Sequence, residues 1–158
     1  MKVVVREALL DDAQLIADLT RQAWAGKVDA RSEGHTETET TVLPDLQHGG
    51  GFILMVDDNP AGCVRWLPTD EDGSIWKIHR LGVLPDYRGN SFSEHLLEAI
   101  IHHAHEYDIS ELHMALYPEH ERLADFYAIF DFNIAPELEF SLRDSLTPPP
   151  VMLRKLFD

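Results

Sequence analysis

The sequence predicts one α/β domain of the α+β kind over residues 1–158, a mixed, mostly antiparallel central sheet with helices on both faces. Three observations predict it. A chain of 158 residues with 44% hydrophobic content can bury one core of ordinary domain size. Its apolar residues switch repeatedly between the alternation of strands and the three-to-four spacing of helices. The centre holds three consecutive strand-like runs separated by short turn-forming segments, which predicts antiparallel pairing inside a β-α-(α)-β-β-β-α-β-α-β-β order.

Lys2 to Ala8 alternate loosely in β-branched residues and read as the first strand. Asp11-Asp12 then open a helix that sets Ala13, Leu15, Ile16, Leu19, Ala23 and Trp24 at helical spacing. From Ala25 to Gly51 the pattern weakens into Gly34, a Thr/Glu run and Gly49-Gly50-Gly51, and predicts one short helix between Thr36 and Leu46. Phe52 to Val56 and Ala61 to Leu67 flank Asp57-Asp58-Asn59-Pro60, a hairpin signature. A third strand, Ser74 to Leu84, follows the Asp70-Glu71-Asp72-Gly73 turn. After Pro85, Phe92, Leu96, Leu97, Ile100, Ile101 and Ala104 share one helical face. Glu111 to Leu116 is a short strand, His120 to Phe130 a second amphipathic helix, and two strands follow Phe132 around Thr147-Pro148-Pro149-Pro150.

Composition narrows the function. A formal charge of -15 argues against nucleic acid, whose phosphates need a Lys/Arg patch, and favours cationic amines through long-range attraction. No apolar run approaches the roughly 20 residues that cross a bilayer, so no membrane partner is expected. Met1 to Glu7 meets charge too early for a secretory signal, which predicts a cytoplasmic protein. The lone Cys63, in an apolar setting, reads as a small buried residue.

The informative segment runs from His79 to Ser93, a strand passing through Pro85-Asp86-Tyr87-Arg88-Gly89-Asn90 into a helix N-terminus. Unpaired backbone N–H groups and the positive end of the helix dipole converge at such a junction and suit a phosphate or pyrophosphate. Arg88 adds a cation. The competing reading is a capping box, Ser91-Phe92-Ser93-Glu94, in which side chains satisfy the helix's own first amides.

Val83-Leu84-Pro85-Asp86-Tyr87-Arg88-Gly89-Asn90-Ser91-Phe92-Ser93, followed by Leu96-Leu97, resembles the signature of the GNAT acetyltransferase superfamily, Val-x-Pro-x-x-Arg-Gly-x-Gly-x-Gly/Ala and then a leucine-bearing helix. Ser91 and Ser93 stand where the family prefers glycine. Ala124, Tyr127 and Phe132 lie close to a second family pattern, with His120 in place of its asparagine and Asp131 in place of its glycine. The resemblance implies an acyl-CoA acyltransferase fold and acetyl-CoA as co-substrate. It further implies that the backbone of Leu81, Gly82 and Val83 pairs with the pantetheine arm, and that Gly89, Asn90, Ser91, Phe92 and Ser93 cradle the pyrophosphate beside Arg88 and, on the next helix, His120. Tyr127 is then the acid that protonates the departing thiolate, as a phenol with pKa near 10 can.

Acetyl transfer to a primary amine also needs the thioester carbonyl polarised, for which the Val83 amide is the family-like candidate, and a base. His79 is the candidate base because an unperturbed imidazole titrates near neutrality. If strand alternation holds, it shares a face with Leu81 and Val83. Glu33 and His35 are lesser candidates. His95 and His102 fall with Glu98 and Glu106 opposite the apolar face of their helix, a solvated pattern, and the family chemistry needs no metal. Two other readings compete: an acyl-CoA-binding or interaction module of the same fold without turnover, and an unrelated α/β protein. Homodimers through a sheet edge or the C-terminal strand are common in domains of the family it resembles, and the sequence leaves the oligomeric state open.

Overall fold

The computed structural model describes residues 1–25, 36–69, 71–89, 91–116, 122–138 and 150–157. Seven strands form one sheet in the order β1-β2-β3-β4-β5-β7-β6. β1 (Val3–Glu7), β2 (Gly50–Val56), β3 (Asn59–Pro68) and β4 (Ile75–Val83) pair antiparallel in sequence. β5 (Glu111–Leu116) joins β4 in parallel, and β7 (Val151–Leu156) lies antiparallel between β5 and β6 (Asn133–Ile134). The parallel step exists because α3 (Phe92–Glu106) separates β4 from β5 and carries the chain back across the sheet.

The β2–β3 hairpin turns on Asp57 and Asp58, whose φ values of 49° and 68° are the two positive values of a two-residue turn that matches strand twist. Helix α1 (Ala13–Trp24) forms from the spaced apolar residues, burying Ala13, Ile16, Ala17, Leu19 and Ala23. Helix α2 (Glu39–His48) starts where Thr38 caps it, its hydroxyl accepting from the Thr41 N–H and its own N–H donating to the Thr41 hydroxyl.

Two cores follow from this layering. α1 and α2 cover one face, packing Ile16, Val42 and Leu46 on Ile53 and Cys63. α3 covers the other, packing Phe92, Leu96, Leu97 and Ile100 on Leu54, Val64, Trp76 and Ile78, and Tyr127 joins this second core. Cys63 is buried with its thiol pushed up to about 11 by desolvation, in keeping with an inert residue.

One expectation is corrected. The helix expected over His120 to Phe130 is α4 (Ala124–Ile129), six residues preceded by a tight turn at Arg122 and Leu123; His120 lies outside the described residues. The two strands expected after Phe132 form as the two-residue β6 and as β7; the Ala135 N–H still donates to Met152 O at 2.9 Å, and the chain turns where Leu138 N–H donates to Ala135 O at 3.0 Å. No helix among the described residues is long and apolar enough to cross a membrane.

Candidate active site

The site is an opening in the sheet. β4 and β5 pair only at Ile75/Glu111, Trp76/Leu112 and Lys77/His113, with Ser110 N–H bonded to Ser74 O at 2.8 Å behind them. β4 then continues to Val83 and β5 to Leu116 without pairing to each other, so a gap opens toward their C-terminal ends, where open α/β sheets take ligands.

A bulge directs what faces that gap. Between Arg65/His79 and Cys63/Gly82, β3 advances two residues and β4 three, and the extra residue is Arg80, at φ 58°. Trp76 and Ile78 face α3 before the bulge; Leu81 and Val83 face it afterwards. His79, Arg80 and Gly82 therefore look toward α1 and α2. The expectation that His79 shares a face with Leu81 and Val83 fails here, because the bulge breaks the period-two alternation. Gly82 has its own packing reason: a Cβ there would lie 2.6 Å from Trp24 Cζ3 and 2.9 Å from Ala23 Cβ. The bare backbone lets α1 rest on β4.

The backbone at Val83 is set by the same register. Leu84 N–H donates to Ala61 O at 2.8 Å, so Ala61/Leu84 is a bonded pair and Gly62/Val83 is a non-bonded one. The N–H and C=O of Val83 thus point away from β3, to the side that β5 has left. Arg88 Nε takes the carbonyl at 3.1 Å, and Arg88 Nη2 donates to Ala23 O at 2.6 Å. Arg88 is therefore the tie between the loop, β4 and the end of α1, more than the entrance cation expected from the sequence.

Beyond Arg88 the loop bends through Gly89 (φ 86°) into Ser91 (φ 58°), and α3 begins at Phe92. No side-chain hydrogen bond caps the helix, so the capping-box reading of Ser91 and Glu94 is not what forms. The positive φ explains why glycine suits this position, and why serine here is strained. Phe92 is buried under the helix while Ser91 is exposed at its start. Ser93 is half-buried one residue further on, in the first turn of α3, and Asn90 lies outside the described residues.

Tyr127 sits on α4, nine-tenths buried, with rings of Phe126 and Phe132 at centroid distances of 5.2 and 6.5 Å. Burial pushes its phenol up to about 12, which keeps the proton on at any physiological pH. His79 is different from its sequence-based expectation. Desolvation, with Arg80, Arg65 and Lys77 nearby, holds its imidazole well below the ordinary range. Its Nε2 lies 3.8 Å from Asp45 Oδ2, but with a neutral ring this is a dipolar contact and no ion pair. Glu33 and His35 lie outside the described residues.

Sequence reasoning missed the charged cluster under α2. Arg65 is fully buried, with Nη1 2.9 Å from Asp45 Oδ2 and Nη2 3.3 Å from Glu37 Oε1. Arg80 Nε donates to Glu37 Oε1 at 3.0 Å. Burial raises the Glu37 carboxyl, and Arg65, Thr41 and Arg80 outweigh it to leave the pKa lowered. For Asp45 burial wins and the pKa rises. The signal was available: an arginine inside each of two apolar strands must find a buried acid. Among exposed histidines, His102 pairs with Glu106 on the solvated side of α3.

The acetyltransferase (GNAT) family model matches residues 16–132, from α1 through Phe132. The chain belongs to the GNAT acetyltransferase family. That range holds the gap, the β4–α3 loop and Tyr127, and the family's reaction draws its acetyl group from acetyl-CoA. Solved GNAT-type structures share the whole fold. The PaiA N-acetyltransferase of Thermoplasma acidophilum, solved with coenzyme A, superposes with TM-score 0.77 at 15% identity, over 99% of this chain and 100% of that one. The IAA acetyltransferase of Bacillus cereus gives 0.72 at 14% identity, over 99% and 100%. The ribosomal-protein-S18-alanine N-acetyltransferase of Escherichia coli gives 0.74 at 14%, over 98% and 94%. A search among curated proteins finds no significant match.

Proposed function

We propose that the protein is an N-acetyltransferase that moves an acetyl group from acetyl-CoA to a primary amine by direct attack. The observation that carries this reading is the Val83 amide, turned away from β3 into the β4–β5 gap one short loop before the uncapped N-terminus of α3. That arrangement offers one strand edge for the pantetheine arm, free helix amides for the pyrophosphate and a single donor for the thioester oxygen.

In the reaction, the neutral amine nitrogen attacks the thioester carbon while the Val83 N–H stabilises the charge growing on oxygen. The C–S bond then breaks, sulfur takes the Tyr127 proton, and the acylated nitrogen gives up its extra proton to solvent or to a base. Tyr127 regains its proton from water, so the step balances. His79 faces the α1–α2 side and serves as the base through an intervening water. Its neutral imidazole accepts a proton at pH 7, and its low pKa makes it a weak base. The strong negative net charge favours cationic amines as acceptors. The reading entails a compartment that supplies acetyl-CoA, and the proposal takes this to be the cytoplasm.

Calorimetry with acetyl-CoA and coenzyme A, followed by thiol release over polyamines, amino acids, aminoglycosides and peptide N-termini, tests the reading. No binding of either coenzyme form sinks it; binding without turnover of any amine points to the acyl-CoA-binding module instead. Tyr127→Phe is expected to lower turnover about 10²-fold or more with acetyl-CoA affinity unchanged. Equal loss of affinity removes Tyr127 from the acid's role.

A further inference from the structure

Among the described residues with positive φ, Asp57 and Asp58 form a hairpin turn, Ser91 precedes a helix, and Asp108 and Asp131 follow one. Arg80 alone of these sits inside a strand. A long L-side chain in the left-handed region is disfavoured unless its surroundings hold it there. We propose that Arg80, held by Glu37, is the positioning residue that fixes the β4 bulge and so directs the Val83 amide into the β4–β5 gap.

The holding is specific. Arg80 is 8% exposed and Glu37 4%. Glu37 Oε1 takes Arg80 Nε at 3.0 Å, and Glu37 is itself anchored from three sides. Thr41 of α2 donates its hydroxyl to Oε2 at 2.6 Å, Arg65 of β3 reaches Oε1 at 3.3 Å, and Arg21 of α1 donates to the Glu37 backbone carbonyl at 2.6 Å. The acid that grips the bulge is thus fixed by both helices and by the neighbouring strand.

The register shows what the grip prevents. Counting from the Arg65/His79 pair without the extra residue, Val83 would stand opposite Ala61, and Leu84 would lose that place. The Val83 N–H would then be spent on β3. Leu81 would turn from the α3 core toward Trp24, where the bare Gly82 now allows α1 to approach. One residue's backbone conformation therefore decides which amide faces the gap, that of Val83 with the bulge or that of Gly82 without it. The consequence for acetyl transfer rests on the reading of Val83 given above; the hold on the bulge does not.

Comparing Arg80→Gly with Arg80→Ala tests this. Both remove the guanidinium and leave Glu37 with Arg65, and they differ in that glycine accepts positive φ freely. Two readouts apply: hydrogen exchange of the Leu84 amide in the ligand-free protein, and acetyl-CoA affinity by calorimetry. The expected result is that Arg80→Ala speeds Leu84 exchange and weakens acetyl-CoA binding by about tenfold. Arg80→Gly loses the same grip but accepts positive φ, and is expected to lose clearly less than Arg80→Ala on both. Equal impairment of the two variants, or none in either, overturns the proposal. Should Arg80→Ala not fold, Arg80→Asn replaces it, with expected losses larger than those of Arg80→Gly; equal or reversed order is the overturning result. If the wild-type protein binds no acetyl-CoA, the acetyltransferase reading fails while the exchange comparison still decides the role of Arg80.

Discussion

At the scale of single residues, the site is made by backbone geometry more than by charged side chains. Arg88 illustrates this. Its guanidinium donates to Val83 O and Ala23 O and so ties the loop to β4 and the end of α1. Arg88→Ala is expected to weaken acetyl-CoA binding about tenfold, and Arg88→Lys to weaken it nearly as much, since one ammonium cannot reproduce the two-armed bridge. Full rescue by lysine in calorimetry would show instead that only the charge matters. Ser91 makes the same point from the opposite direction. The competing reading of the sequence has serine cap the helix, whereas its left-handed backbone takes its side chain out of capping.

At the scale of elements, the contact between α1 and β4 sets the shape of the gap's wall. Gly82 lies against Trp24 and Ala23 with no room for a methyl group. Gly82→Ala must push α1 away or twist β4, and is expected to lower stability by about 1–3 kcal/mol. Urea unfolding measures this, and an unchanged midpoint would mean that α1 yields without penalty. α4 shows how far sequence reading reached for a short helix. The apolar positions Leu123 to Phe130 indicate a helix, and Tyr127 lies on it, buried as a core aromatic. Its length was overestimated because amphipathic spacing does not reveal where a chain leaves helical geometry.

At the scale of the whole molecule, an acidic chain keeps three of its cations, Arg65, Arg80 and Lys77, near one neutral histidine. The sign of the resulting pH dependence follows from linkage. His79 has a folded pKa below its unfolded value, so between the two the unfolded chain binds the extra proton and stability falls as pH drops below about 6.5. Glu37 is also depressed; the stability it confers is present above its unfolded pKa and lost as pH falls through the folded one. Asp45, raised, works in the opposite sense. His79→Gln is therefore expected to flatten the decline that begins near pH 6.5 while leaving the steeper acid loss in place. Urea midpoints measured across pH check it, and an unaltered slope in that window would contradict the neutral state of His79.

The sequence by itself determined the element order, the hairpin, the two helix faces and the position of the β4–α3 loop, because periodicity, turn residues and helix starts are local properties of the chain. Only the tertiary structure decided that β4 and β5 part after three pairs, that a bulge at Arg80 reverses the facing of His79 against Val83, and that Glu37 grips the bulge from a distant helix start. Strand divergence, one-residue register shifts and buried ion pairs join residues far apart in the chain, and period-two alternation extrapolated along β4 carries no information about where it breaks.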